Sequence, residues 1–171
     1  MSSPQVAMVM GSSSDLEVMM NGVKVLKGYG IECEVRVLSA HRAPDAVGEF
    51  ARAAADRGVK VLIAGAGAAA HLAGALAAHS PLPVIGVPLV ASPLAGFDAL
   101  LATVQMPGGV PVATVGVGKA GAVNAAHLAA RILALSDEEL AGKVADDRAA
   151  QIDKVMRMDR EVQKQLEDES R

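Results

Sequence analysis

Three short stretches of the sequence combine groups that bind anions with groups that move protons. The first, Gly11-Ser12-Ser13-Ser14-Asp15, sets three hydroxyls after a glycine that permits a sharp turn, just ahead of a run with helical spacing. Free N–H groups and the positive end of a helix dipole favour an anion at such a place. Serine hydroxyls donate to phosphate without adding charge, whereas Asp15 would repel phosphate and accept from ribose hydroxyls instead. A phosphate site is one reading. The other is that one serine simply caps the helix.

The second stretch, Ser39-Ala40-His41-Arg42-Ala43-Pro44-Asp45, puts a histidine beside an arginine between a strand and a helix start. Imidazole titrates near pH ~6.5, so both protonation states are accessible near neutrality. A guanidinium offers a planar fork to phosphate oxygens. The pair suits an acid/base next to an anion anchor, although a surface histidine and a salt-bridging arginine would look the same.

The third stretch, Gly65-Ala66-Gly67-Ala68-Ala69-Ala70-His71-Leu72-Ala73-Gly74, matches G-x-G-x-x-A after a strand. A dinucleotide fingerprint is disfavoured, because the match follows the third strand rather than the first and no acidic residue ends the next one. The loop reads instead as a small, dry, apolar pocket with inward amides, suited to a small uncharged group. His71 is either a second polar contact there or a helix cap. His79 and His127 read as structural, and no histidines or carboxylates have metal-ligand spacing, so no metal is expected.

These loops must be carried by regular elements, and the apolar periodicity supplies them. Strands are expected at Val6–Met10, Ile31–Leu38, Val59–Ala64, Pro83–Val87 and Val112–Val117, from short β-branched runs or period-two alternation. Helical stripes fill the intervals: Asp15–Tyr29, Pro44–Arg57, a Gly/Ala-rich segment after Gly65, Phe97–Val104 and Ala120–Leu135. Strands alternating with helices specify a three-layer αβα fold with a parallel sheet, and the flavodoxin-like order 2-1-3-4-5 is the commonest for five strands. All three loops then lie at the carboxyl edge of the sheet, where ligands bind. The chain is expected to be one catalytic domain, with a core over 1–135 and a charged helix over 136–171 opened by a Ser136/Glu139 capping box. Leu140, Val144, Ile152, Val155, Val162 and Leu166 form a partial stripe on that helix, which lies on its own domain or, preferably, packs on a neighbouring subunit.

Composition sets the outer bounds. Apolar residues make up 51% of 171 residues but aromatics only 2%, with 17 glycines. Such a chain leaves more small apolar surface than one small domain hides, which points to an oligomer. A net charge of −3 without a basic stripe argues against nucleic acid. No apolar run approaches the ~20 residues of a membrane span, and Met1-Ser2-Ser3-Pro4 lacks the features of a signal peptide, so a cytoplasmic protein is expected. Cys33 lies in an alternating strand and reads as a small apolar filler.

Taken in series, MGSSSD, SAHRAPD, GAGAAAHLAG, QMPGGVPVATV and GKAGAVNAAHLAARIL resemble class I N5-carboxyaminoimidazole ribonucleotide mutase over roughly residues 5–135. The resemblance implies a flavodoxin-like subunit of a homo-octamer that uses no metal or organic cofactor. It would interconvert N5-carboxyaminoimidazole ribonucleotide and 4-carboxy-5-aminoimidazole ribonucleotide in purine synthesis. By matching positions, Ser12, Ser14 and Arg42 would bind the 5′-phosphate and Asp15 the ribose. His41 would be the general acid/base, and Ser39, Ala40, Gly65, Gly67, Ala68, Ala69, His71 and Leu72 would shape the reacting pocket. The Met106–Pro111 loop would cover its own site or a neighbour's, or be a plain turn.

The chain departs from the family pattern where Ala43 replaces a usual Thr, Ala68 a Gly, Ala73 a Pro, Leu16 a Trp and His127 a Leu. A strained Ala68 would narrow the pocket for CO2. Two other functions compete: direct carboxylation of aminoimidazole ribonucleotide, which the third loop disfavours, and a flavin- or nucleotide-binding module, which the scarcity of aromatics disfavours.

Overall fold

The computed structural model describes residues 3–169, which divide into two compact units at Leu133/Ala134. The first unit is built on a five-stranded parallel sheet in the order β2-β1-β3-β4-β5. The strands are β1 (Val6–Met10), β2 (Cys33–Val37), β3 (Val61–Gly67), β4 (Val84–Leu89) and β5 (Ala113–Thr114). Between them run α1 (Leu16–Tyr29), α2 (Pro44–Ala53), α3 (Leu72–His79) and α4 (Phe97–Val104), and α5 (Gly118–Ala134) follows β5. This is the expected three-layer α/β architecture.

β1 and most of β3 are uniformly apolar because helices cover both faces of the sheet. Ala7, Val9, Leu62 and Ala64 pack with Val47, Phe50 and Ala51 of α2 and with Leu72, Ala73 and Leu76 of α3. On the opposite face, Met8 and Ala122 of α5 crowd Gly22 of α1 so closely that a Cβ there would meet the Ala122 carbonyl. Met8, Met10 and Ile63 are fully buried. Each such side chain contributes about 1.5–3 kcal/mol of transfer free energy.

Two strands are shorter than their sequence patterns predict. β2 begins at Cys33 rather than Ile31 and lies at the sheet edge, where Val37 is 51% exposed. β5 keeps only Ala113 and Thr114, paired with Ile85 and Gly86. Pro88 lies two residues beyond Gly86 and so faces the same neighbour, but it has no N–H to extend the ladder. The first and second helices are also trimmed into 3₁₀ turns, at Ser13–Asp15 and Ala55–Arg57.

The second unit consists mainly of α6 (Glu138–Glu169). Its cap is Asp137, whose Oδ1 accepts from Leu140 N at 3.0 Å, one residue later than the expected Ser136/Glu139 box. The reciprocal box of this chain is at the first loop instead. There Ser12 Oγ accepts from Ser14 N (3.3 Å) and Asp15 Oδ2 accepts from Ser12 N (3.1 Å). Ile152, Val155, Val162 and Leu166 are each at least half exposed along α6. Among the described residues, no helix is long and apolar enough to cross a membrane.

Candidate active site

The carboxyl ends of β2, β1 and β3, adjacent in the sheet, are tied together, and this brings the loops into one place. Met10 pairs with both Val37 and Gly65. Just beyond, Leu38 N donates to Met10 O at 2.9 Å and Gly11 N to Gly65 O at 3.2 Å. β1 and β2 end level with Gly65, two residues before β3 does, so the loops that follow them and the end of β3 open onto a shared cavity of about 360 Å³. Gly65 serves this closure from behind, since a Cβ there would lie 2.5 Å from the sulfur of Met19 in α1.

From the first loop, Ser12, Ser14 and Asp15 line the cavity together with Gly11. Ser14 Oγ donates to Ser12 Oγ at 2.9 Å, so the two hydroxyls sit side by side at the entrance to α1. Capping and anion binding, the two readings of this loop, are therefore compatible: Ser12 caps the 3₁₀ turn and still faces the cavity. Burial pushes the Asp15 carboxyl above its usual range, opposed by the hydrogen bond from the Ser12 amide.

The second loop supplies Ser39, Ala40, His41 and Arg42. Arg42 is held on one edge, its Nε donating to Ser39 Oγ at 3.2 Å and its Nη2 to Gly11 O at 3.0 Å. Among the described residues both hydrogen-bond partners of the Arg42 side chain are neutral, so it is not engaged in a salt bridge. Ala43 precedes α2 with no side-chain cap, and Pro44 takes the first helical position.

The third stretch contributes Ala66 and Gly67 from the end of β3, Ala69 and His71 from the turn after it, and Leu72 as the first residue of α3. Its small side chains leave room where larger ones would fill it. His71 makes no cap hydrogen bond to α3; its Nδ1 lies 2.8 Å from His41 Nε2, with the rings edge-on at 81°. It is a second polar group of the cavity. Gly65 and Ala68, also expected to shape the pocket, are not among the residues that border this cavity. Ala68 does have positive φ (51°), as its strained reading requires, between two residues that do line the cavity.

Sequence reasoning missed Ala91, which follows β4 and closes the cavity opposite Gly67. The only signal for it was its position past the carboxyl end of a strand, since alanine carries no chemistry of its own. The other histidines pair elsewhere: His127 Nδ1 with Tyr29 Oη at 2.9 Å, and His79 Nδ1 with Arg52 Nη1 at 3.3 Å. Burial drives the Cys33 thiol up to about 12, so it stays protonated and is no nucleophile near neutrality.

Fold and cavity together define a flavodoxin-like α/β protein whose carboxyl-edge cleft joins a hydroxyl-rich turn and a free guanidinium to a pair of imidazoles. The family model described as AIR carboxylase matches residues 5–154, and the chain belongs to that family. It is 54% identical over 145 residues to N5-carboxyaminoimidazole ribonucleotide mutase of Bacillus subtilis, covering 85% of this chain and 90% of that one. It is 49% identical over 152 residues to the mutase of Escherichia coli K12, covering 89% and 90%. Among solved structures, a crystal structure of Treponema denticola PurE superposes with a TM-score of 0.82 at 33% identity, covering 91% of this chain and 96% of that one.

Proposed function

We propose that this chain is an isomerase that interconverts N5-carboxyaminoimidazole ribonucleotide and 4-carboxy-5-aminoimidazole ribonucleotide in purine biosynthesis. The observation that carries the reading is the single cleft in which Ser12, Ser14 and Arg42 face His41 and a wall of Gly and Ala. It is supported by the family match and by mutases about half identical over most of the chain. In this reading Ser12, Ser14 and Arg42 hold the 5′-phosphate, Asp15 accepts from the ribose, and His41 handles protons.

The reaction follows from those roles. Protonated His41 gives its proton to the exocyclic nitrogen as the N–C bond to the carboxyl group breaks, releasing CO2 and aminoimidazole ribonucleotide. Ala66, Gly67, Ala69, Leu72 and Ala91 confine the neutral CO2 near the ring, so recombination is effectively unimolecular. The ring carbon bonds to CO2, and neutral His41 removes the proton from that carbon, returning to its starting state. One residue acts as acid and then as base.

The proposal extends to a homo-oligomer, an octamer by resemblance, supported by the exposed apolar residues of α6 and by Leu94, Phe97, Leu101 and Val104 around α4. It also places the enzyme in the cytoplasm, since a phosphorylated substrate does not cross membranes and must be used where it is made. The test is to supply each carboxylated isomer without ATP and follow interconversion, then to offer aminoimidazole ribonucleotide with bicarbonate. Interconversion of the isomers is the expected result. Turnover of the second mixture alone would establish direct carboxylation instead.

A further inference from the structure

The contact between His41 and His71 joins two groups that differ in how firmly the backbone holds them. His71 sits immediately before α3, with its own N–H donating to Ala69 O and its carbonyl accepting from Ala75 N, both at 2.9 Å. Its position is thus fixed from both sides. His41 lies in the turn between β2 and α2, is exposed, and has His71 as its ring's hydrogen-bond partner among the described residues.

At 2.8 Å, one hydrogen lies between His41 Nε2 and His71 Nδ1. An imidazole that is to accept and return a proton at one nitrogen must have its other nitrogen's state defined, because the two are coupled through the ring. When His41 is fully protonated it can only donate from Nε2, and His71 Nδ1 is placed to accept. When His41 then loses the proton from Nδ1, Nε2–H remains bonded to His71. Neither step requires the ring to turn. A nucleotide bound over the pair would exclude water and strengthen this hydrogen bond.

We infer that His71 is a positioning residue for His41: it accepts from Nε2, fixes the ring edge-on, and reserves Nδ1 for the substrate. This rests on His41 being the acid/base. It assigns His71 a task distinct from shaping the pocket, because the part that matters is a single acceptor at the Nδ1 position.

Three variants separate this from a packing or substrate-contact role. Asn at 71 places an amide oxygen near the position of Nδ1, Gln places it near Nε2, and Leu supplies no acceptor. His71→Asn should keep kcat within about threefold, whereas His71→Gln and His71→Leu should lower it on the order of 10- to 100-fold, a part of the roughly 10²- to 10⁴-fold that acid/base assistance is worth. KM should change less than threefold in all three. Nitrogen-15 NMR of the unmodified enzyme should show neutral His41 protonated at Nε2, and His71→Gln should yield a mixture of tautomers. Should Leu fail to fold, the Asn and Gln pair still decides. Equal kcat for the Asn and Gln variants, a loss confined to KM, or an unchanged His41 tautomer in His71→Gln would each overturn the inference. His41→Asn run alongside distinguishes the two levels. Retained turnover there removes the acid/base reading itself, whereas an inactive His41→Asn with fully active position-71 variants removes only the role of His71.

Discussion

Arg42 and Asp15 enter the same cleft with opposite charge, and each has a consequence that can be measured. The guanidinium is steadied by Ser39 Oγ and Gly11 O, which leaves donors free for phosphate. Removing it in Arg42→Ala should weaken a 5′-phosphate ligand by roughly 10- to 100-fold, the worth of a charge-assisted hydrogen bond. Titration calorimetry with aminoimidazole ribonucleotide checks this, and unchanged affinity would exclude Arg42 as the anchor. For Asp15, burial raises the carboxyl's pKa. The folded protein therefore holds that proton more tightly than the unfolded chain does, so ionised Asp15 opposes folding near neutrality and the opposition lifts as the pH falls through the raised pKa. If ionised Asp15 accepts from the ribose, affinity should begin to fall at a higher pH than an ordinary aspartate would produce. Asp15→Asn should abolish that component of the pH dependence while leaving the part due to the phosphate itself. A profile identical in the two proteins would exclude the ribose role.

The elements carrying these residues show where local chemistry and tertiary demand disagree. α2 begins after Ala43, which has no side-chain cap, so its first amides lack a partner that Thr or Ser would provide. Ala43→Thr should stabilise the protein by about 1 kcal/mol, a rise in Tm of roughly 2–4 °C, read by thermal denaturation. A fall in Tm would mean that the turn at 43 cannot seat a hydroxyl. Ala68 presents the opposite case. A left-handed alanine costs about 1–2 kcal/mol, while glycine there would add about 0.4–1 kcal/mol of unfolded-chain entropy. The strain outweighs the entropy, so Ala68→Gly should stabilise by roughly half a kcal/mol. Because Ala68 does not border the cavity, kcat should change little. A marked change in kcat would show that the strained loop conformation matters to the reaction.

At the scale of the whole molecule, the apolar residues left on the surface call for a cover. Phe97 is 67% exposed and Leu94 63%, and they sit at the start of α4 in line with Leu101 and Val104. Along α6 the exposed series runs from Ile152 to Leu166 amid charged residues. If α6 packs on another copy of the chain, Val155→Glu combined with Val162→Glu should lower the mass measured by sedimentation. The helical circular dichroism of the core should remain. An unaltered mass would place the subunit contacts elsewhere, with the α4 face the first alternative.

The order of elements, the parallel sheet and the carboxyl-edge location of the chemistry could all be read from the chain alone. Alternating helical and strand periodicity determines them, and handedness leaves few topologies. The same patterns could not show that β5 is cut to two residues, because that depends on Pro88 in a neighbouring strand lacking a donor. Nor could they show that Asp137 starts α6, since Ser136 and Asp137 are both competent caps and only the backbone path selects between them. The separation of thirty positions between His41 and His71 hides the most consequential relation. Their rings meet only because β1 separates and aligns the strands that carry them, so the contact is a property of sheet register and not of any motif.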